Sequence, residues 1–146
     1  MADASPVSPR VGVSVALVKK QKELKVLFVR RAQPPLAGTW SLPGGRAHWG
    51  ETMWQTAHRE LHEEAGLVAR PLQILTATDS IFSSGADTQD HWQIITVVMA
   101  WQTGEPRAAS DAQETAWMTP DQGLAKITWM PLRGVLLTLK DASLTF

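Results

Sequence analysis

Residues 45–67 read GRAHWGETMWQTAHRELHEEAGL, and the reading of this stretch organises the rest of the chain. Thr52 followed three positions later by Gln55 is a capping-box pattern, in which each side chain satisfies the other residue's backbone N–H. Gly66 closes the stretch where a left-handed residue is wanted, so the spacing predicts a helix of about 14 residues. On an ideal helix Glu60, Glu63 and Glu64 fall within an arc of about 100°, because i, i+3 and i+4 share a face. Like charges at that spacing weaken a helix, so a sequence chosen for helix stability alone would place Lys or Arg among them. The opposite arc holds Trp54, Ala57, Leu61 and Ala65, an apolar stripe that docks the helix on a sheet.

Outward from the helix, β-branched runs at residues 11–18 and 24–29 read as neighbouring strands separated by a polar, hairpin-like break. Pro34-Pro35 and Gly38 mark a loop, and Pro43-Gly44-Gly45 marks a sharp turn after the short segment 39–42. Residues 72–78 and 92–101 read as strands around a polar loop, 83–90, whose composition suits a mobile surface segment. A short strand follows at 115–118, then a short helix at 120–127 and a last one at 132–139. Strands and helices interleave, which predicts one α/β or α+β domain over residues 10–146 behind a loose Ala/Ser/Pro-rich tail, residues 1–9.

The 146 residues carry 14 Lys+Arg against 14 Asp+Glu, no cysteine, no tyrosine and seven tryptophans. A chain this long hides roughly 68–70% of its unfolded surface and needs no disulfide to fold. Without cysteine there is no thiol nucleophile, Fe–S cluster or Cys-type zinc site, and the composition fits a reducing, cytoplasmic setting. Zero net charge argues against coating nucleic acid or an anionic membrane. The longest apolar stretches fall far short of the roughly 20 residues that span a bilayer, and the N-terminus lacks the cationic start and apolar core of a secretory signal. Neutrality conceals a partition: residues 1–50 carry eight Lys+Arg and two acids, whereas residues 51–64 carry four acids and one Arg.

Clustered carboxylates on a rigid helix suit Mg²⁺ or Mn²⁺, which favour oxygen ligands and bridge to substrate phosphates. Paired metals of this kind activate water and neutralise charge on a transferring phosphoryl group, so a phosphoanhydride is the natural substrate class. Arg59 can reach back to Glu51 or Glu63 and hold a carboxylate in position. His58 and His62 stand at i, i+4, but Glu60 is displaced from the position a zinc helix of the H-E-x-x-H type requires, so both read as surface residues.

Gly45, Glu51, Arg59, Glu60, Leu61, Glu63, Glu64, Gly66 and Leu67 fit without a gap the pattern G-x5-E-x7-R-E-U-x-E-E-x-G-U, with U a bulky aliphatic. This stretch resembles the signature box of the Nudix hydrolase family. The fixed positions would coincide by chance with a probability on the order of 10⁻⁸ per starting point. The flanks are similar too: residues 26–31, then Trp40-Ser41-Leu42-Pro43-Gly44, Gly104-Glu105-Pro106 and Trp117-Met118. The resemblance implies an α/β/α sandwich around a mixed β-sheet and hydrolysis of a nucleoside diphosphate linked to another moiety.

Carried over by position, the resemblance makes Glu60 and Glu64 the principal metal ligands and Glu63 a further ligand or base. Glu51 becomes the outer acid, beside Arg59 and a second metal, and the Gly45 carbonyl one more ligand. An acid ahead of Trp117 completes the metal site or acts as base in many relatives; Asp111 and Glu114 are the candidates, with Glu114 favoured. His48 and Trp49 stand where many relatives carry an acidic residue and a proline, which reads as a tolerated variation of the turn, the alternative being that they shape the mouth of the site. Arg30, Arg31 and Arg46 are candidate phosphate contacts, and strand alternation aims only one of the first two at a given face. Trp40 and Trp49 bracket the glycines and are candidate nucleobase neighbours, while the other tryptophans read as packing.

Features outside the box narrow the substrate by absence. The proline that marks one ADP-ribose group is replaced by Ile81 and Phe82, the tyrosine of dinucleoside polyphosphate hydrolases is missing, and no NADH or coenzyme A signature is found. The flanks favour a pyrophosphatase for ADP-ribose or a similar nucleotide sugar. The alternatives are a house-cleaning (d)NTP pyrophosphatase acting on damaged nucleotides and a non-catalytic nucleotide-sensing module, which would not need the full set of glutamates. The implied partner is a small nucleotide, and the resemblance allows a homodimer.

Overall fold

The computed structural model describes residues 8–34 and 36–146. The expected tail lies outside the described residues through residue 7; Ser8 and Pro9 are exposed and precede the first strand. The strands are β1 (Arg10–Lys20), β2 (Leu24–Arg31), β3 (Trp40–Ser41), β4 (Gly44–Arg46), β5 (Ala69–Ser84), β6 (Asp87–Trp101) and β7 (Ala112–Met118). The helices are α1 (Met53–Ala65), α2 (Pro120–Lys126) and α3 (Met130–Asp141). They form an α/β/α sandwich around one mixed, seven-stranded sheet in the order β3-β2-β1-β6-β5, with β4 on β1 and β7 on β2. Among the described residues only β1 and β6 run parallel; every other pairing is antiparallel.

Side chains alternate across β1 and therefore feed two cores. Val13, Val15 and Leu17 face α1, where Ala57, Leu61 and Ala65 are fully buried against them. Ala16 and Val18 face the opposite way, towards Leu132, Val135, Leu136 and Leu139 of α3. Burying a side chain such as Leu61 stabilises the fold by roughly 1.5–3 kcal/mol, which fixes α1 and the carboxylates on its outer arc to the sheet. The capping box forms as its sequence predicts: Gln55 N donates to Thr52 Oγ1 at 3.1 Å and Thr52 N to Gln55 Oε1 at 2.9 Å. Gly66 ends the helix at φ +69°.

Two segments differ from expectation. Pro43-Gly44-Gly45 is not a sharp turn but the entry to a strand, pairing Gly12–Ser14 with Gly44–Arg46. A Cβ on Gly44 would run into the Val13 carbonyl, so this glycine serves close backbone approach rather than a reversal of direction. Residues 83–90 form no irregular loop. They complete the β5–β6 hairpin, with Ser83 opposite Thr88 and Ser84 opposite Asp87 around Gly85 at φ +62°. The composition is polar because both faces of the hairpin tip are exposed, and backbone pairing satisfies a strand whatever its side chains face. Among the described residues no helix is long and apolar enough to cross a membrane.

Candidate active site

The outer arc of α1 meets the free edge of β4. Gly44 N, which has no neighbouring strand on that side, donates to Glu64 Oε2 at 3.0 Å, and Glu64 is only 8% exposed. Burial, with the Glu60 and Asp111 charges nearby, pushes the Glu64 carboxyl up to about 8, against the opposing pull of the Gly44 N–H. Glu60 lies on the other glycine: a Cβ on Gly45 would stand 2.5 Å from its carboxyl carbon. Both glycines therefore clear space for carboxylates or strand backbone, a requirement that their sequence alone does not distinguish from a turn.

Arg59 organises the remaining acids. Its Nε and Nη2 grip the two oxygens of Glu51 at 2.8 and 2.9 Å, Nη1 reaches Glu60 Oε1 at 2.6 Å and Glu63 Oε2 at 3.4 Å, and Nη2 also donates to the Arg46 carbonyl at 2.9 Å. Glu51 accepts further bonds from His48 N and Thr56 Oγ1. The Arg59 fork, helped by the His48 N–H, pulls the Glu51 carboxyl down to about 2. Arg59 is in turn raised above its ordinary value, Glu51 being the main cause.

Among the described residues no three His, Asp or Glu side chains are gathered as a formed metal cluster. The physical reason is visible: Glu51, Glu60 and Glu63 are turned onto one guanidinium, which relieves their mutual repulsion. The donor set nonetheless fits a hard divalent cation. Three carboxylates, Glu51, Glu60 and Glu63, surround a single arginine, a fourth, Glu64, is buried beside Glu60 with no cationic side chain bonded to it, and all four offer oxygen donors.

Residues 105–111 bring another acid to this face. Arg107 N and Ala109 N cap the α1 C-terminus by donating to the Ala65 and Glu64 carbonyls at 2.9 and 3.1 Å. Asp111 at the end of this loop acts electrostatically on Glu64. Glu114 instead lies opposite Arg30 in the β2–β7 ladder and is ion-paired with it at 3.4 Å, both side chains being largely exposed.

A cleft of about 630 Å³ opens on the α3 side of β4 and shares Gly44, Gly45 and Arg46 with the carboxylate face. It lies where β1 exchanges one antiparallel partner for another, β2 at Val18–Lys20 and β4 at Gly12–Ser14. Of the candidate substrate residues, Arg31, Arg46 and Trp40 line it. Arg30 is engaged with Glu114 and the Gly38 carbonyl. Trp49 projects fully into solvent, Trp54 is half-buried against the α1 core, His58 is half-buried and His62 exposed. Trp92, Trp129, Arg10 and Asp90 line the cleft without having been singled out in the sequence. For Arg10, Asp90 and Trp92 the signal is register: Arg10 pairs with Trp92 and Gly12 with Ile94, so residues of even number on β1 and β6 share the cleft face, whereas Trp129 precedes α3 and carries no such signal.

The family profile of the NUDIX domain matches residues 8–139. A Mycobacterium tuberculosis protein provisionally named 8-oxo-dGTP diphosphatase 2 is 36% identical over 108 residues, 73% of this chain and 72% of its own length. An ADP-ribose pyrophosphatase of Methanocaldococcus jannaschii is 33% identical over 95 residues, 64% of this chain. The chain spans about half, 54%, of that relative's length. A MutT NUDIX hydrolase from Burkholderia pseudomallei superposes with a TM-score of 0.73 at 25% identity, covering 93% of this chain and 99% of that one. The profile match over nearly the whole chain, the sandwich and the acid-bearing helix agree: this chain belongs to the NUDIX domain family, whose hydrolases act on phosphoanhydride bonds.

Proposed function

We propose that the chain is a Mg²⁺- or Mn²⁺-dependent pyrophosphohydrolase that cleaves the phosphoanhydride of a small nucleotide, a family property being the general use of divalent metals. The observation that carries the reading is β4: its two glycines place Glu60 and Glu64 on one side and line the arginine-bearing cleft on the other. Glu60 and Glu64, with Glu63, Glu51 and the Gly45 carbonyl as further donors, would hold the metal. A divalent ion bound there supplies Lewis acidity to the phosphate oxygens and lowers the pKa of water.

The chain's own residues do the rest. Arg31 and Arg46 bind phosphate oxygens and orient the substrate in the cleft, while Arg59 keeps Glu51 and Glu60 aligned. A carboxylate takes the proton as water forms the new P–O bond and the bridging P–O bond breaks, the electron pair leaving with the departing phosphate. Glu63 or Asp111 is the base in this reading: Asp111 acts electrostatically on Glu64, while Glu114, the other candidate, is paired with Arg30. Two substrate classes are equally supported by the relatives' names: ADP-ribose or a similar nucleotide sugar, and a nucleoside triphosphate of the 8-oxo-dGTP kind.

Incubation with a nucleotide panel and Mg²⁺, with products resolved chromatographically, separates them. AMP with ribose 5-phosphate indicates the first class, and a nucleoside monophosphate with pyrophosphate indicates the second. No turnover across the panel would contradict hydrolysis and favour a nucleotide sensor.

A further inference from the structure

Three tryptophans line the cleft, but they are held differently. Trp40 and Trp129 pack into the α3 core. Trp92 belongs to neither core; it is half-buried and fastened by polar neighbours. Its Nε1–H donates to Asp90 Oδ2 at 2.9 Å, and the Arg10 guanidinium lies 5.6 Å from the ring centroid. Arg10 is in turn 3.9 Å from Asp90 Oδ1. The ring edge passes over Gly12, where an added Cβ would approach it to 3.4 Å, so glycine keeps the space beside the ring clear of side chain. Trp92 lines the cleft half-buried, and the part of its ring that neither Arg10 nor Gly12 covers leaves an apolar surface that a planar ligand group would cover.

Asp90 also differs from its surroundings. The other charged groups of the cleft are cations (Arg10, Arg31, Arg46 and Lys126), which suit phosphate; Asp90 is its one acid among the described residues. An ionised carboxylate accepts hydrogen bonds and donates none. The N1–H and exocyclic N2–H of guanine offer it two donors side by side, whereas adenine offers one donor beside an acceptor that would face a carboxylate oxygen repulsively.

Resting on the reading of this cleft as a nucleotide site, we infer that Trp92 is the stacking wall for the base and that Asp90 selects a guanine-type purine. The monophosphates GMP and AMP test this independently of hydrolysis, since they carry the same phosphate and no anhydride. By calorimetric titration of the full chain, GMP binds at least about tenfold tighter than AMP. Asp90→Asn removes that preference, and Trp92→Leu weakens GMP binding by about tenfold or more. Trp92→Phe, which keeps a ring of similar placement, binds GMP within about threefold of wild type and guards against a Leu variant that fails to fold. Equal binding of GMP and AMP by the wild type, or an unchanged preference in Asp90→Asn, would overturn the inference. So would undiminished GMP binding in Trp92→Leu. Failure of the nucleotide panel alongside an intact GMP preference would remove the hydrolase reading and leave the base subsite standing.

Discussion

Glu64 and Glu51 are two glutamates of one box that titrate in opposite directions. Glu51, drawn down to about 2 by the Arg59 fork, contributes stability present above the ordinary value of 4.5 and lost as pH falls through 2. Glu64, raised to about 8, keeps its proton in the folded state after the unfolded chain has released it. Without metal its contribution is therefore full below 4.5 and is lost as pH rises towards 8. In EDTA the unfolding midpoint should fall by roughly 5 °C between pH 5 and 8, a shift that thermal scans monitored by circular dichroism would detect. Mg²⁺ should restore it at pH 8, and Glu64→Gln should flatten the slope. A midpoint independent of pH in EDTA would show that Glu64 is not buried as a reluctant carboxylate.

At the scale of elements, glycines of the same short region do different work, and substitution separates them. Gly45→Ala drives a methyl into the Glu60 carboxylate, which must swing off Arg59; catalytic turnover should drop by roughly 10–100-fold. Gly66→Ala meets open space at φ +69°, so it should cost about 1 kcal/mol of stability, near 3 °C in the unfolding midpoint, and leave turnover intact. Steady-state assays and thermal scans on the two variants would reverse that ranking only if the β4 contact had no part in the site. Helix α1 was legible from Thr52, Gln55 and Gly66 because caps and periodicity are local signals. The role of Gly44 was not, since a turn and a close strand contact want the same residue. Trp92 and Asp90 were hidden for related reasons: the strand of Trp92 was legible while Asp90 fell in the segment read as a loop, and the register that brings them beside Arg10 and Gly12 is a long-range property. Asp111 likewise reaches Glu64 only because residues 105–111 cap the end of α1.

Across the whole molecule the charge partition acquires a location. The basic front half supplies Arg10, Arg31 and Arg46 to the cleft, and the acidic helix supplies Glu60, Glu63 and Glu64 to the opposite side of β4. A polyanionic nucleotide chelated to a divalent cation needs both, and the sheet keeps them separate until such a ligand bridges them. The two cores make this arrangement rigid, because α1 and α3 bury apolar faces on opposite sides of the sheet. The most direct measurement compares kcat of wild type and Glu64→Gln, at saturating Mg²⁺, on the nucleotide the wild type turns over fastest, with circular dichroism confirming the fold of both. Loss of an outer-shell partner in a metal site typically costs 10–100-fold, so loss of this ligand should lower kcat by at least about a hundredfold while the fold persists. Turnover near that of the wild type in a folded Glu64→Gln protein would contradict the assignment of the α1 carboxylates as the metal-holding, catalytic face.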